Sequence, residues 1–203
     1  MFVAIPKMNP PIEGVKARLV PYAPYHVEQY HKWMSQPHLL EQTASDQLNL
    51  DEEYANQISW TQSNDKYTWI VICKLDHRHR PKLGHRTSDE IQLNEISHMC
   101  GDVNLFMHEW LSPDQCEIEI MIAESSCQRN GLAVESCKLV MEFAKSFLNI
   151  KSFIAKIKQD NIASIKLFTE KLHFRIVEII ECFNEIECHS SECLCDQCQS
   201  TIT

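Results

Sequence analysis

Six consecutive residues have the types and spacing of a phosphate-binding loop: Gln128, Arg129, Asn130, Gly131, Leu132 and Ala133. They fit a Gln/Arg-x-x-Gly-x-Gly/Ala pattern, in which the glycine lets a phosphate approach the backbone without meeting a Cβ atom. Arg129 adds a positive charge, and Gln128 adds side-chain donors. Because so short a pattern also arises by chance, the support it gives to phosphate binding depends on the secondary structure around it.

The segments that flank this loop predict a strand before it and a helix after it. Residues 116–123 alternate between two sides, which is typical of a strand with one buried face. The side expected to be buried carries Ile118, Ile120 and Ile122. The opposite side carries Glu117, Glu119 and Met121.

After the loop, apolar residues recur at three- and four-residue spacing, which predicts a helix with one buried stripe. The predicted stripe comprises Leu132, Ser136, Leu139, Val140, Phe143 and Phe147. The first N–H groups of a helix lack internal partners, and the helix dipole makes that end partly positive. A phosphate placed there would be held by backbone donors.

Composition and charge limit the possible classes of function. The chain has 203 residues, 44% of them hydrophobic and 23% charged, with a formal net charge of −9. These values fit one globular domain, argue against binding along nucleic acid phosphates, and are compatible with a basic peptide or an amine as substrate. No apolar run reaches membrane-spanning length, and residues 1–5 lack the basic lead of a secretory signal. We therefore expect no membrane segment and a reducing, cytoplasmic location in which the ten cysteines are thiols.

The rest of the chain predicts a mixed α/β sheet of one domain over residues 15–188, after a loose arm over 1–14. Further strands are expected at 15–20, 67–73, 99–107, 151–159 and 174–183. Three further helices are expected. The first covers residues 24–34 and would be ended by Pro37. The second begins after a cap at Asp51, and the third after a cap at Asn161.

Two polar stretches interrupt this pattern. Residues 76–95 are locally basic at their start, and we expect a solvated loop, with a patch for an acidic partner as the alternative. Residues 189–203 form a cysteine-rich tail that we expect to be disordered. The candidate zinc ligands at this end are Cys188, His189, Cys193, Cys195 and Cys198. Their spacing lacks a second half, so we predict free thiols and no metal.

Taken together, several segments resemble the GNAT superfamily of acyl-CoA-dependent N-acetyltransferases, and within it the N-acetyltransferase 9-like branch. They are Leu19-Val20-Pro21-Tyr22, Thr43-Ala44-Ser45, Gly101-Asp102-Val103-Asn104-Leu105-Phe106, residues 117–124, Ser164-Ile165 and Lys171-Leu172-His173-Phe174. The similarity runs from about residue 19 to residue 187. It implies a GNAT-like fold: a central, mostly antiparallel sheet with two splayed parallel strands and flanking helices.

The resemblance also implies acetyl-CoA as co-substrate. Its pantetheine arm would pair with the backbone of Met121, Ile122 and Ala123, in a gap between strand 117–123 and strand 153–159. Its pyrophosphate would rest on the N–H groups of residues 129–133. Asn161 and Ser164 would contact it from the following helix.

Two positions depart from the family pattern. Ala133 stands where the loop often has a second glycine, and it is small enough for binding to survive. Phe168 stands where many members carry a tyrosine that protonates the departing thiolate. A thiol with a pKa of ~8.5 is a tolerable leaving group, so transfer remains feasible without that acid.

The chemistry needs a base, because an amine must be neutral to attack a thioester. A protein α-amine, with a pKa of ~7.7–8, loses its proton near pH 7 more readily than a lysine at ~10.4. Glu119 is our first candidate base and Glu117 the second, since they lie roughly 6.5–7 Å apart along one strand face. The alternative is that both face solvent. Asp102 and Asn104 are further candidates to line the site.

The sequence therefore leaves two candidate functions, which belong to different classes. The first is transfer of acetyl from acetyl-CoA to a protein amine, expected to be an N-terminal α-amine; the family branch makes tubulin a plausible acceptor. The second is a GNAT-fold module that binds acyl-CoA or a protein partner, such as microtubules, without turnover. Phe168, and a cysteine-rich end where the family has an apolar closing strand, favour the second function. The strand, the phosphate loop and Asn161 favour the first.

Overall fold

The computed structural model describes residues 9–75 and 87–190, which form a mixed α/β fold as predicted. The strands are β1 (Ile12–Glu13), β2 (Ala17–Pro21), β3 (Lys66–Cys73), β4 (Met99–Phe106), β5 (Gln115–Ile122), β6 (Ser152–Lys158), β7 (Phe174–Ile180) and β8 (Glu185–Ser190). The helices are α1 (Val27–Trp33), α2 (Pro37–Gln42), α3 (Leu50–Gln62), α4 (Ser88–His98), α5 (Leu132–Leu148) and α6 (Ile162–Lys166). A 3₁₀ turn, Pro24–His26, precedes α1, and a π-helical turn, Leu167–Lys171, follows α6.

The described residues fall into two compact units, the first of which comprises residues 9–75, 87–104 and 120–139. Its strand order is β1-β2-β3-β4-β5, with β1/β2 and β2/β3 antiparallel. Its core is a cluster of aromatic and aliphatic side chains in which Tyr30 and Trp33 of α1 pack with Met121 of β5. This unit contains the whole of the predicted phosphate loop.

The second unit comprises residues 105–119 and 140–190. Its strand order is β5-β6-β8-β7, in which β5/β6 is parallel and the other two pairs are antiparallel. The parallel register covers three residue pairs and ends where Glu117 faces Ile154. The predicted parallel pair is therefore present, and its pairing stops partway along β5.

Helix α4 lies in the stretch that was predicted to be a loop, so that prediction is wrong for residues 88–95. The helix begins with a capping box: the Thr87 hydroxyl accepts from the Glu90 N–H at 3.2 Å, and the Glu90 carboxylate accepts from the Thr87 N–H at 3.1 Å. Later in the helix, Glu95 is buried and accepts from Arg18 at 3.1 Å and from Tyr25 at 2.6 Å. The helix is thus held by polar contacts rather than by an apolar stripe, which is why hydrophobic periodicity missed it.

The burial of β5 also differs from the prediction of one buried face. Ile118 is buried, but Ile120 and Ile122 are only partly buried. On the opposite side, Glu117 and Met121 are buried. Both faces of an interior strand can be covered, so alternation of residue type does not identify a solvent face here.

Smaller corrections concern helix and strand ends. Asn49, not Asp51, caps α3, because its side chain accepts from the Glu52 N–H. Pro37 occupies the first turn of α2 and so begins a helix. At the end of the predicted α5 stripe, Phe147 is 74% exposed.

The C-terminal part of the domain contains a strand that the sequence pattern did not reveal. β8 continues to Ser190 and pairs with both β6 and β7, whereas the prediction placed one strand over residues 174–183 and the tail from 189. The basic stretch at 77–86 and the tail from 191 to 203 lie outside the described residues.

Candidate functional site

The junction between the loop and α5 has the geometry of an anion site. Gly131 has a φ of +82°, in the left-handed region that glycine adopts without strain. The backbone N–H of Glu135 donates to the Gly131 carbonyl at 3.1 Å, so the helix starts directly after the glycine. The amides of the first turn have no partner within the helix and point out of its N-terminal end. This arrangement can bind a phosphate.

Side chains of the loop hold its shape. The Gln128 amide donates to the Ile122 carbonyl at 2.8 Å, and the Asn130 amide donates to the Ser126 carbonyl at 3.2 Å. Arg129 has a φ of 59°, so a second residue of the loop is left-handed. The side-chain donors of Gln128 and Asn130 therefore contribute to the fold of the loop, and backbone amides are the groups available to an anion.

Lys16 is a residue of this site that the sequence did not indicate. Its Nζ donates to the Asn130 carbonyl at 2.9 Å, and a Cβ added to Gly131 would lie 2.8 Å from that nitrogen. The carboxylate of Glu135 accepts from three successive backbone N–H groups, at 2.7–2.9 Å, at positions 15, 16 and 17. Helix α5 thus anchors the segment that carries Lys16, and an ammonium group is placed at the helix N-terminus. No local pattern could reveal this contact, which joins residues 114 positions apart.

The end of β5 packs very closely on β4. Both the Ala123 and Glu124 N–H groups donate to the Cys100 carbonyl, at 2.8 and 3.2 Å. A Cβ on Gly101 would lie 1.9 Å from the Met121 carbonyl oxygen, so this approach requires glycine. Glycine at this position of the Gly-Asp-Val-Asn-Leu-Phe segment therefore has a structural reason.

Glu124, two residues after the end of β5, is hydrogen-bonded to helix α1. Its carboxylate accepts from the Trp33 indole N–H at 2.7 Å and from the Gln29 amide at 3.4 Å. These bonds fix the position at which the strand turns into the loop.

A buried polar network lies on β4. The Asp102 carboxylate accepts from the Asn104 amide at 2.7 Å and from the Tyr30 hydroxyl at 3.4 Å. Asn104 in turn accepts from the Thr68 hydroxyl at 2.7 Å. Burial raises the pKa of Asp102 from 3.8 to about 6, against the hydrogen bonds and the positive charge of Lys66, which lower it. Asp102 and Asn104 thus belong to a connected internal network.

The two candidate bases have different surroundings. Glu117 is buried in the second unit, with its carboxylate 3.2 Å from His108 Nε2 and 3.4 Å from Lys156 Nζ. The Lys156 ammonium also lies 4.3 Å from the ring centroid of Trp110. Glu119 is exposed. Their assignment as bases stays a prediction; the surroundings make Glu119 the more accessible of the two.

Asn161 and Phe168 have local structural roles in the second unit. The Asn161 side chain accepts from the Ser164 N–H at 3.1 Å and so caps α6, as predicted. Phe168 is buried in the π-helical turn, with its ring edge-on to Phe174 at 5.1 Å between centroids. The predicted cofactor contacts of Asn161 and Ser164 stay predictions.

Within the described residues, no group of three or more His, Cys, Asp or Glu side chains is arranged to hold a metal ion. In the same residues, no helix has both the length and the apolar character needed to cross a bilayer.

Comparison with known proteins identifies the family. Residues 16–175 match the family profile of the acetyltransferase (GNAT) domain. The mouse alpha/beta-tubulin-N-acetyltransferase 9 is 41% identical over 178 residues, which cover 88% of this chain and 69% of the relative. An N-acetyltransferase 9-like protein of Nematostella vectensis is 42% identical over 173 residues, or 85% of this chain and 81% of the relative.

Solved structures agree with this fold. The Salmonella typhimurium acetyltransferase that modifies the N-terminal serine of ribosomal protein L7/L12 has a TM-score of 0.64 at 15% identity, covering 87% of this chain and 95% of that one. A complex of RimL, the ribosomal L7/L12 α-N-protein acetyltransferase, with coenzyme A also gives 0.64, at 14% identity, covering 88% and 96%. The resemblance read from the sequence is confirmed: the chain belongs to the GNAT acetyltransferase family and is an N-acetyltransferase.

Proposed function

We propose that this N-acetyltransferase transfers acetyl from acetyl-CoA to the N-terminal α-amine of a cytoplasmic protein, with tubulin as the candidate acceptor. The observation that carries the proposal is the start of α5, where a left-handed Gly131 opens a helix beside the ammonium group of Lys16. A backbone cradle next to a cation fits the pyrophosphate of a coenzyme better than it fits a protein side chain.

The phosphates of the donor are expected to bind in the first unit. The N-terminal amides of α5 would hold the phosphates, and Lys16 and Arg129 would add positive charge. The predicted pantetheine contacts at Met121, Ile122 and Ala123 adjoin this loop in sequence. When bound, acetyl-CoA supplies an acetyl group that is activated as a thioester.

The acceptor is expected to be an α-amine because the site must receive a neutral nucleophile. An α-amine is far less basic than a lysine side chain, so a moderate base suffices to deprotonate it. We assign this role to Glu119, which is exposed and can exchange a proton with water. Glu117 is the second candidate, although its carboxylate is already shared by His108 and Lys156.

The names of the relatives support tubulin as the candidate acceptor. Relatives from mouse, human and Drosophila melanogaster are named as alpha/beta-tubulin N-acetyltransferases, at 39–41% identity. The seven described cysteines are free thiols, which is consistent with a cytoplasmic partner.

The test is to incubate the purified chain with acetyl-CoA and a library of N-terminal peptides, including those of α- and β-tubulin, and to read acetylation by mass spectrometry. Acetyl on α-amines, with dependence on Glu119, is the expected result. Glu119→Gln should lower kcat while the affinity for coenzyme A stays constant. The matched control is Glu109→Gln, another exposed glutamate outside the site.

Saturable binding of coenzyme A without any product would contradict the proposal and support the binding module instead. Products acetylated on lysine side chains alone would contradict the assignment of the α-amine.

A further inference from the structure

The first unit contains a cavity of about 200 Å³ that the proposed donor site does not use. Its walls come from α1, from the segment before α3, and from α3 itself. The lining residues are Tyr30, Met34, Ser45, Asp46, Leu48, Glu53, Asn56 and Trp60. This set contains two carboxylates and two aromatic rings, and no lysine or arginine.

Glu53 is the unusual member of this set. It is 2% exposed, yet among the described residues no hydrogen bond or ion pair reaches its carboxylate. Burial raises the pKa of Glu53 above its ordinary value, and the nearby His31 opposes that shift. A buried carboxylate is normally paired or hydrogen-bonded, because its desolvation is otherwise uncompensated. A carboxylate that lines a cavity without a partner is therefore suited to a partner from outside.

The aromatic walls are suited to the same kind of partner. Tyr30 and Trp60 meet edge to face, with centroids 6.2 Å apart. Trp60 already holds the ammonium of Lys66, whose Nζ lies 2.8 Å from its ring centroid, so a cation in the cavity depends on Glu53 rather than on this ring. Aromatic faces beside a carboxylate attract an ammonium or guanidinium group more strongly than either alone.

Packed side chains connect the cavity to the end of β5, where the thioester is expected. Tyr30 and Met34 belong to the same core cluster as Met121 of β5. The Tyr30 hydroxyl donates to Asp102 on β4, and Trp33, three residues along α1, donates to Glu124. The cavity and the end of β5 are thus joined through α1 within one compact unit.

We propose that this cavity binds the side chain of a lysine or arginine residue close to the N-terminus of the acceptor peptide, with Glu53 as its counter-ion. The inference rests on the proposed function and adds a specificity residue to it. The reacting α-amine must be neutral, so the cation held in the cavity is a different group on the same peptide. Glu53 selects the acceptor by charge, and the apolar side chains of the wall, Met34 and Leu48, pack against the aliphatic stem.

The experiment compares peptides that carry arginine or its neutral isostere citrulline at positions two to four. Acetylation gives kcat/KM, and calorimetry with coenzyme A in place of acetyl-CoA gives binding without turnover. For wild type we expect a preference of about tenfold or more for arginine at one of these positions. Glu53→Gln should reduce that preference to about one. Asp51→Asn, on an exposed residue of the same helix, should retain it.

The two readouts separate failure of this inference from failure of the proposed function. Arginine-selective binding that Glu53→Gln abolishes supports the cavity assignment even if no peptide is acetylated. Acetylation without an arginine preference, or with a preference that Glu53→Gln leaves intact, overturns the assignment while the transferase stands. Absence of both binding and turnover overturns the assignment as well. A melting temperature of Glu53→Gln that is no lower than that of wild type ensures that the comparison is made on folded protein.

Discussion

The loop before α5 and the cavity beside α3 lie in the same compact unit and carry opposite charge. The loop offers backbone amides and the ammonium of Lys16, whereas the cavity offers the carboxylates of Glu53 and Asp46. The loop offers mainly backbone groups from one continuous segment, whereas the residues that line the cavity come from three separate segments. The two proposals therefore assign the anionic donor and the cationic acceptor to different groups of one unit, so the two would not compete.

The largest effect is expected from a negative charge placed in the loop. Gly131→Glu should weaken coenzyme A binding more than about 100-fold, because a carboxylate and a Cβ would occupy the place of the phosphate. Calorimetry measures the affinity. Phe147→Glu adds the same charge at an exposed position near the other end of α5 and should bind normally.

Backbone strain is a second consequence of this change, since Gly131 is left-handed. Gly131→Ala has the backbone strain without the added charge. Its melting temperature and its affinity for coenzyme A therefore separate the effect of strain from the effect of charge. Unchanged affinity in Gly131→Glu would remove the phosphates from this loop.

A second prediction concerns Asp102, whose carboxylate accepts from the cavity residue Tyr30. Because burial raises the folded pKa of Asp102 from 3.8 to about 6, the folded state holds the proton more tightly than the unfolded state. The resulting stability is fully present below the unfolded value and is lost as the pH rises through about 6. A shift of this size corresponds to on the order of 3 kcal/mol.

Urea unfolding at pH 4 and pH 7.5 tests this. Asp102→Asn keeps an oxygen acceptor for the Tyr30 hydroxyl but cannot ionise, so its stability should fall less over this range than that of wild type. Parallel pH profiles for the two proteins would show that Asp102 titrates as it does in water.

A third prediction contrasts a carboxylate that has partners with one that lacks them. Glu117→Gln leaves Lys156 and His108 without their anion, which should cost about 2 kcal/mol after allowance for their partial exposure. Glu53→Gln removes an unpaired buried charge and should be neutral or stabilising. Chemical denaturation of both variants at pH 7.5 makes the comparison, and equal losses would mean that Glu53 has a partner in solution.

The contrast between a contiguous loop and a cavity made of separate segments also explains what the sequence could predict. The strand, the loop and the helix start are contiguous, and their signals are local: alternation in β5, Gly131, and the apolar repeat of α5. The family profile and the fold neighbours confirm the mixed α/β fold and the family that the sequence resembles.

What the sequence could not predict depends on contacts between distant segments. Helix α4 is held through Glu95, whose carboxylate accepts hydrogen bonds from Arg18 and Tyr25, which are 77 and 70 residues earlier in the chain. The cavity is lined by Tyr30 of α1 and Glu53 of α3, and neither residue belongs to a recognisable motif. The role of each position therefore depends on the packing of the unit, which hydrophobic periodicity does not encode.

Lys16 is the clearest case of such a distant contribution, and it gives the smallest effect. Its ammonium is flexible and partly exposed, and it donates to the Asn130 carbonyl at 2.9 Å, so it adds charge to a site that the backbone already forms. Lys16→Ala should lower coenzyme A affinity about fivefold, the equivalent of about 1 kcal/mol. Lys138→Ala, on an exposed lysine of α5, is the matched control and should bind as wild type does. Because the contribution is electrostatic, the difference between Lys16→Ala and wild type should shrink as salt rises from 50 mM to about 500 mM. A difference that persisted at high salt would mean that Lys16 acts by shaping the loop. The donor site would then depend on a side chain from a distant segment, as the acceptor cavity does, and the contrast between the two would be smaller.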